Sequence, residues 1–185
     1  MNDNIRARIG LVGLLVLVAF GVAVLLSAMP AGAVTTGDAY TGSGDWNVHN
    51  ATKVIDEEIV VYGNLFVNST MELWNATIRM DLGSDNQYMV NVTGNGNLKA
   101  NDTLITSTRN YREYGFVVHG MMTLKRVTVK ETYNGVRILT DDTILLQDSA
   151  FLLSYGTGLY LEDADGTTLS NVTVQTNELS VTSTF

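Results

Sequence analysis

Five carboxylates recur at a fixed offset in the C-terminal third of the chain. Asp141 and Asp142 lie in the turn Thr140-Asp141-Asp142-Thr143, and the equivalent turn 23 residues later is Glu162-Asp163-Ala164-Asp165-Gly166. If the chain stacks these turns, the acids share one edge at the inter-strand spacing of about 4.8 Å. Like charges so close repel unless water, protons or a cation intervene. Calcium takes clustered carboxylate oxygens, and Asp163-Ala164-Asp165-Gly166 is a fragment of a calcium-loop pattern, which makes Asp141, Asp142, Asp163 and Asp165 candidate metal ligands. A pair of carboxylates also serves as general acid and base in glycoside hydrolysis, so Asp141, Asp142 and Asp165 are candidate catalytic residues. The plain alternative is a set of solvated turn carboxylates. No other pattern requires a cofactor; two histidines and no cysteine supply no zinc or copper site of ordinary composition.

Tyrosines form a second series. Tyr88, Tyr114, Tyr133 and Tyr155 follow one another at intervals of 26, 19 and 22 residues. On one corner of a stacked fold they would make a partly exposed aromatic column. Such a column either binds sugar rings or braces the stack by offset packing. Asn-x-Ser/Thr sequons occur at Asn50, Asn68, Asn75, Asn91, Asn101 and Asn171. In an exported protein these are glycan acceptors.

What must position these residues is a repeat. Leu73-Trp74-Asn75-Ala76-Thr77-Ile78, Leu124-Lys125-Arg126-Val127-Thr128-Val129, Leu146-Gln147-Asp148-Ser149-Ala150-Phe151 and Leu169-Ser170-Asn171-Val172-Thr173-Val174 share one pattern. A looser copy with one extra residue starts at Leu98, and the leading leucines are 25, 26, 22 and 23 residues apart. A second apolar run precedes each motif, as in Gly115-Phe116-Val117-Val118 and Gly158-Leu159-Tyr160-Leu161. Short runs rich in Val, Ile, Leu, Thr and Tyr, punctuated by Gly, Asn and Asp, predict strands and turns, with no helical periodicity after residue 34. Fixed-period self-similarity marks a solenoid, in which each repeat buries its apolar side only against its neighbours.

On these motifs the chain resembles the parallel β-helix repeat family, including pectate-lyase-like folds and NosD-like carbohydrate-binding and sugar-hydrolase repeats. The resemblance covers residues 55–175. It implies an all-β, right-handed parallel β-helix of about five coils, a rod of roughly 24 Å at about 4.8 Å per coil. It also implies an asparagine ladder at an inner turn, in which Asn75, Asn171 and Asn101 would be buried and closed to glycans. That leaves Asn50, Asn68 and Asn91 as the glycosylation candidates. Pectin-hydrolysing members combine paired aspartates with His-Gly and Arg-Ile elements, which Asp141-Asp142, His119-Gly120 and Arg137-Ile138 echo in a different chain order.

The first residues carry Arg6 and Arg8, then an apolar run from Leu11 to Ala28, with no further charge until Asp38. This reads as an export signal with Ala31-Gly32-Ala33 as a cleavage site, or as a retained anchor crossing a membrane through residues 9–28. The expected organisation is residues 1–33 as signal or anchor, 34–58 as linker and N-terminal cap, and 59–185 as the β-helix. A net charge of −8 argues against nucleic-acid partners, whose phosphates it repels. The expectation is therefore an extracellular or cell-surface binding or structural module: surface-layer-like, adhesin-like or carbohydrate-binding. Its partners would be carbohydrate or neighbouring surface proteins, with end-to-end self-association through an uncovered solenoid end. The alternative is a polysaccharide lyase or glycoside hydrolase acting on acidic polysaccharide.

Overall fold

The structure, a computed structural model, describes residues 33–176. Within them the chain forms nineteen strands and no helix. The apolar N-terminal run and the alternating segment from Glu178 to Phe185 lie outside the described residues.

After β1 (Val34–Thr36), the strands fall into groups of three, one group per coil. The first coil is β2 (Trp46–Val48), β3 (Thr52–Ile55) and β4 (Glu58–Val61). The second is β5 (Leu65–Val67), β6 (Thr70–Trp74) and β7 (Thr77–Met80). The third is β8 (Met89–Val92), β9 (Asn97–Asn101) and β10 (Leu104–Ser107). The fourth is β11 (Tyr114–Val118), β12 (Met121–Lys125) and β13 (Thr128–Lys130). The fifth is β14 (Thr132–Leu139), β15 (Ile144–Gln147) and β16 (Ala150–Ser154). The sixth is β17 (Leu159–Glu162), β18 (Thr167–Ser170) and β19 (Thr173–Thr176).

Strands in the same place in successive coils pair in parallel. First strands make sheet 1 (β2-β5-β8-β11-β14-β17), second strands sheet 2 (β3-β6-β9-β12-β15-β18) and third strands sheet 3 (β4-β7-β10-β13-β16-β19). The fold is thus an all-β parallel solenoid, and it has six coils where the sequence predicts about five. The first coil begins at Trp46, inside the segment expected to be a cap. Trp46 and Val54 are core residues of that coil. The edge is covered by β1, at the start of the expected 34–58 segment, which pairs antiparallel with β3 along the free edge of sheet 2. The Trp46 indole N–H donates to the Asp38 carbonyl at 2.6 Å, and Tyr40 packs on its ring at 5.6 Å.

The core is a set of apolar columns. Val54, Leu73, Ala100, Leu124, Leu146 and Leu169 stack in register along sheet 2. Ile59, Ile78, Ile105, Val129, Phe151 and Val174 do so along sheet 3. Period-two alternation explains this, since every second side chain of a strand faces inward. The third coil departs from the expected alignment. Ala100, not Leu98, takes the leucine place, so Ala100-Asn101-Asp102-Thr103-Leu104-Ile105 is a full motif copy with no insertion. In the sixth coil the columns end uncovered among the described residues, with Leu169 47% and Val174 39% exposed.

The corner between sheets 2 and 3 repeats in every coil. Asp56, Asn75, Asp102, Arg126, Asp148 and Asn171 hold φ between 50° and 53°. After glycine, Asn and Asp tolerate this left-handed conformation at least cost; Arg126 does not, and is held by its partner. The guanidinium Nε donates to Asp102 Oδ1 at 2.6 Å and Nη2 donates to Oδ2 at 2.8 Å. These bonds hold the Asp102 carboxyl below the usual carboxylate range. The residue after the corner turns inward and is small: Ala76, Thr103, Val127 and Ser149 are buried there.

Leu146 is fully buried in its column between Leu124 and Leu169. Its replacement by alanine is expected to cost about 2–5 kcal/mol. Thr168→Ala, on the exposed side of the neighbouring strand, should stay within about 0.5 kcal/mol. Urea unfolding midpoints measure both.

Candidate functional site

Two clefts lie on opposite corners of sheet 1. The corner from sheet 1 to sheet 2 gathers the predicted acids. Asp141, Asp142, Asp163 and Asp165 line one open cleft of about 650 Å³ with His119, Leu139 and Thr140. Stacking brings them together as the 23-residue offset predicts. Gly166 permits the close approach: a Cβ there would sit 2.5 Å from the Asp142 carbonyl oxygen and 2.6 Å from that of Asp141. All four aspartates are exposed, as is His119. Their carboxylates make no hydrogen bond or ion pair with a described residue. Among the described residues no three Asp, Glu or His side chains are grouped as a metal site requires. Arg137 lies apart from the cleft, with its guanidinium over the Tyr160 ring at 5.6 Å.

The corner from sheet 3 to sheet 1 is different in chemistry. Asp85, Asn86, Tyr111, Glu113, Tyr133 and Tyr155 line a cleft of about 680 Å³. Tyr133 and Tyr155 come from adjacent coils and pair as an isolated parallel bridge, with ring centroids 5.9 Å apart and planes at 13°. Tyr155 is 48% exposed and Tyr111 68% exposed, and the Arg112 guanidinium lies 5.4 Å from the Tyr111 ring centroid. Asp85 accepts from Arg112 Nη1 and from the Glu113 amide, both at 3.4 Å. Asn86, at φ 54°, donates its backbone amide to the Glu113 carbonyl at 2.6 Å, tying the two loops together.

The backbone under this corner is strained. Glu131, Asn134 and Leu153 all have φ between 56° and 60°, and Leu153 is a branched apolar residue 42% exposed. A register shift interrupts the pairing of β16 with β19 between Leu152 and Ser154. For Glu131 and Leu153 such positions cost about 1–3 kcal/mol each and cluster at functional sites, whereas Asn134 adopts this conformation at little cost. They lie over a polar floor that is hydrogen-bonded in part, with the buried Tyr114 hydroxyl and Arg112 Nε left without a partner among the described residues. Buried Glu131 accepts from Thr106 Oγ1 at 2.6 Å and the Ser107 amide at 3.0 Å, and the Thr132 and Ser154 hydroxyls meet at 2.6 Å.

The tyrosine series divides. Tyr133 and Tyr155 form the expected column. Tyr114 does not belong to it: it is fully buried beneath the cleft, and burial, with Glu131 nearby, pushes its hydroxyl well above the usual range. The inward alternation of β11 turns it into the core. Tyr88 is half-buried against the core. Tyr111, Asp85 and Glu113 escape the sequence reading because they lie in loops outside the repeat. Their signal is the length of the two loops that precede β8 and β11.

The sequons also divide. Asn75 and Asn171 are exposed, not buried, because the corner points outward; each amide donates at 2.8 Å to the acid one coil before, Asp56 or Asp148. In the third coil the corner residue is Asp102, with Asn101 donating to it at 2.6 Å. Asn50 is exposed and donates to Asp38 at 3.0 Å, whereas Asn68 and Asn91 are half-buried.

Glu113 lines the tyrosine cleft, and burial, then Asp85 and Glu131, raise its pKa. A raised carboxyl contributes stability below its unfolded pKa and loses it as pH rises through the folded value. Glu113→Gln, which stays neutral, is therefore expected to melt above the parent at neutral pH. The gap should close on acidification below the usual carboxylate range, as thermal scans across pH will read.

Comparison of the chain with protein-family models, with curated proteins and with solved structures returns no match, so the parallel solenoid stands on its own geometry and the family resemblance is not extended to activity.

Proposed function

We propose that this protein is an exported, cell-surface solenoid that binds carbohydrate at the corner formed by Tyr111, Tyr133 and Tyr155. The observation that carries this reading is the near-parallel Tyr133–Tyr155 pair standing beside Asp85 and Glu113 in one cleft. Sugar rings present C–H faces to aromatic rings and hydroxyls to carboxylates, and this corner offers both. The two carboxylates favour a neutral glycan over an anionic one. Export rests on the basic N-terminus and the apolar run after it.

Aromatic pairs gain about 0.5–1.5 kcal/mol beyond their buried area; taking a sugar face on a tyrosine ring as comparable, about 1.4 kcal/mol is a tenfold change in Kd. Tyr155→Ala and Tyr133→Ala should each weaken binding of a neutral oligosaccharide about tenfold in titration calorimetry. Unchanged affinity in both variants would sink the reading.

The gathering of four aspartates and His119 in one cleft favours a second reading, cleavage of acidic polysaccharide at that corner, with a calcium ion drawing together Asp141, Asp142, Asp163 and Asp165, which by themselves are not grouped as a metal site. It predicts calcium-dependent depolymerisation that Asp141→Ala and Asp165→Ala abolish. Cleavage that survives both substitutions contradicts it.

A further inference from the structure

The outer face of sheet 2 carries a charge pattern that neither cleft uses. Three of the chain's four lysines, Lys53, Lys99 and Lys125, project from it in a protein of net charge −8. Lys53, Glu72 and Lys99 occupy one register row, and Lys99 Nζ lies 3.8 Å from Glu72 Oε1. Lys53 Nζ stands 5.6 Å from the centroid of the Trp74 ring, which is 43% exposed. Lys125, in the row of Trp74 and Asn101, makes no ion pair with a described residue. Trp74, Lys99 and Lys125 share a shallow groove of about 170 Å³.

All these residues belong to the first four coils. In the fifth and sixth coils the outward residues of the same sheet are neutral: Leu145, Gln147, Thr168 and Ser170. The edge where sheet 2 begins in those coils is the acidic corner, whose carboxylates have no partner among the described residues. Sheet 2 is therefore positive at one end of the stack and bordered by negative charge at the other. Between them lie Met121, 41% exposed, and half-buried Leu145. Trp and Met are enriched in protein interfaces, and a two-fold contact requires one surface that complements itself.

We propose that sheet 2 is the docking face for a second copy of this chain. The two stacks run antiparallel, and the lysine end of each copy lies on the acidic corner of the other. The contact is isologous, so each interface contains the charge pairing twice. An anionic polymer also fits the lysines alone, but not the acidic border that completes the face.

Sedimentation velocity of the full chain in non-ionic detergent tests this. The expected result is a dimer whose Kd rises at least tenfold between about 0.1 M and about 1 M salt, as the Debye length falls from about 10 Å to about 3 Å. The triple variant Lys53→Glu, Lys99→Glu, Lys125→Glu is expected to be monomeric, as is Asp141→Lys, Asp142→Lys, Asp165→Lys. An equimolar mixture of the two should restore the dimer, which also shows that both variants fold. The chain has no cysteine, so Thr123→Cys, at mid-face, should give a disulfide-linked dimer on oxidation. A monomeric parent, or a dimer indifferent to salt and to lysine reversal, overturns the proposal. So does a monomeric parent that retains polygalacturonate through the lysines, which assigns the face to a polyanion.

Discussion

The corner between sheets 2 and 3 sets what every other part of this molecule can do. A parallel stack repeats each coil directly above the last, so whatever occupies a corner meets its own equivalent one inter-strand spacing away. Six left-handed residues meet in this way, and their order avoids adjacent acids. Asp56 receives Asn75, Asp102 receives Arg126, and Asp148 receives Asn171, so acids and donors alternate along the stack. Two neighbouring aspartates would repel, and a bulky residue without a partner would leave the left-handed backbone uncompensated. Arg126 is the informative exception, because its ion pair offsets the strain that its side chain brings.

With that corner held to a minimal turn, the other two are free to vary. The corner from sheet 1 to sheet 2 collects carboxylates with no partner among the described residues. The corner from sheet 3 to sheet 1 collects loops, tyrosines and left-handed bulges. This division follows a general rule: a rigid scaffold positions chemistry on its connections. The polar floor under the tyrosine corner, with Glu131 bound to Thr106 and Ser107 of the preceding coil, ties the bulges to the core. An interface on sheet 2 leaves the tyrosine corner free, so glycan binding and pairing of copies are compatible.

Much of this architecture is legible in the residues. The parallel solenoid follows from the recurring leucine motif, and the acidic cleft follows from the offset between Asp142 and Asp165. The departures have physical causes. The first coil carries Val54 in place of the leucine, so a count that starts from the strongest motif copies misses it and reads its residues as a cap. Ala100 buries too little to announce itself, which lets Leu98 stand in its place in the alignment. Tyr114 has the spacing of its neighbours, but alternation within β11 turns it inward. The lysine face becomes readable only once register aligns Lys53 with Lys99, since their separation in sequence spans two coils of unequal length.

Assigned amide and aromatic-ring NMR spectra, recorded while a neutral oligosaccharide is titrated in, test the central claim most directly. The account predicts shifts confined to Asp85, Tyr111, Glu113, Tyr133, Tyr155 and their neighbours on that corner, saturating together. Shifts centred on Asp141 and Asp165, or absent at the tyrosine corner, would contradict it.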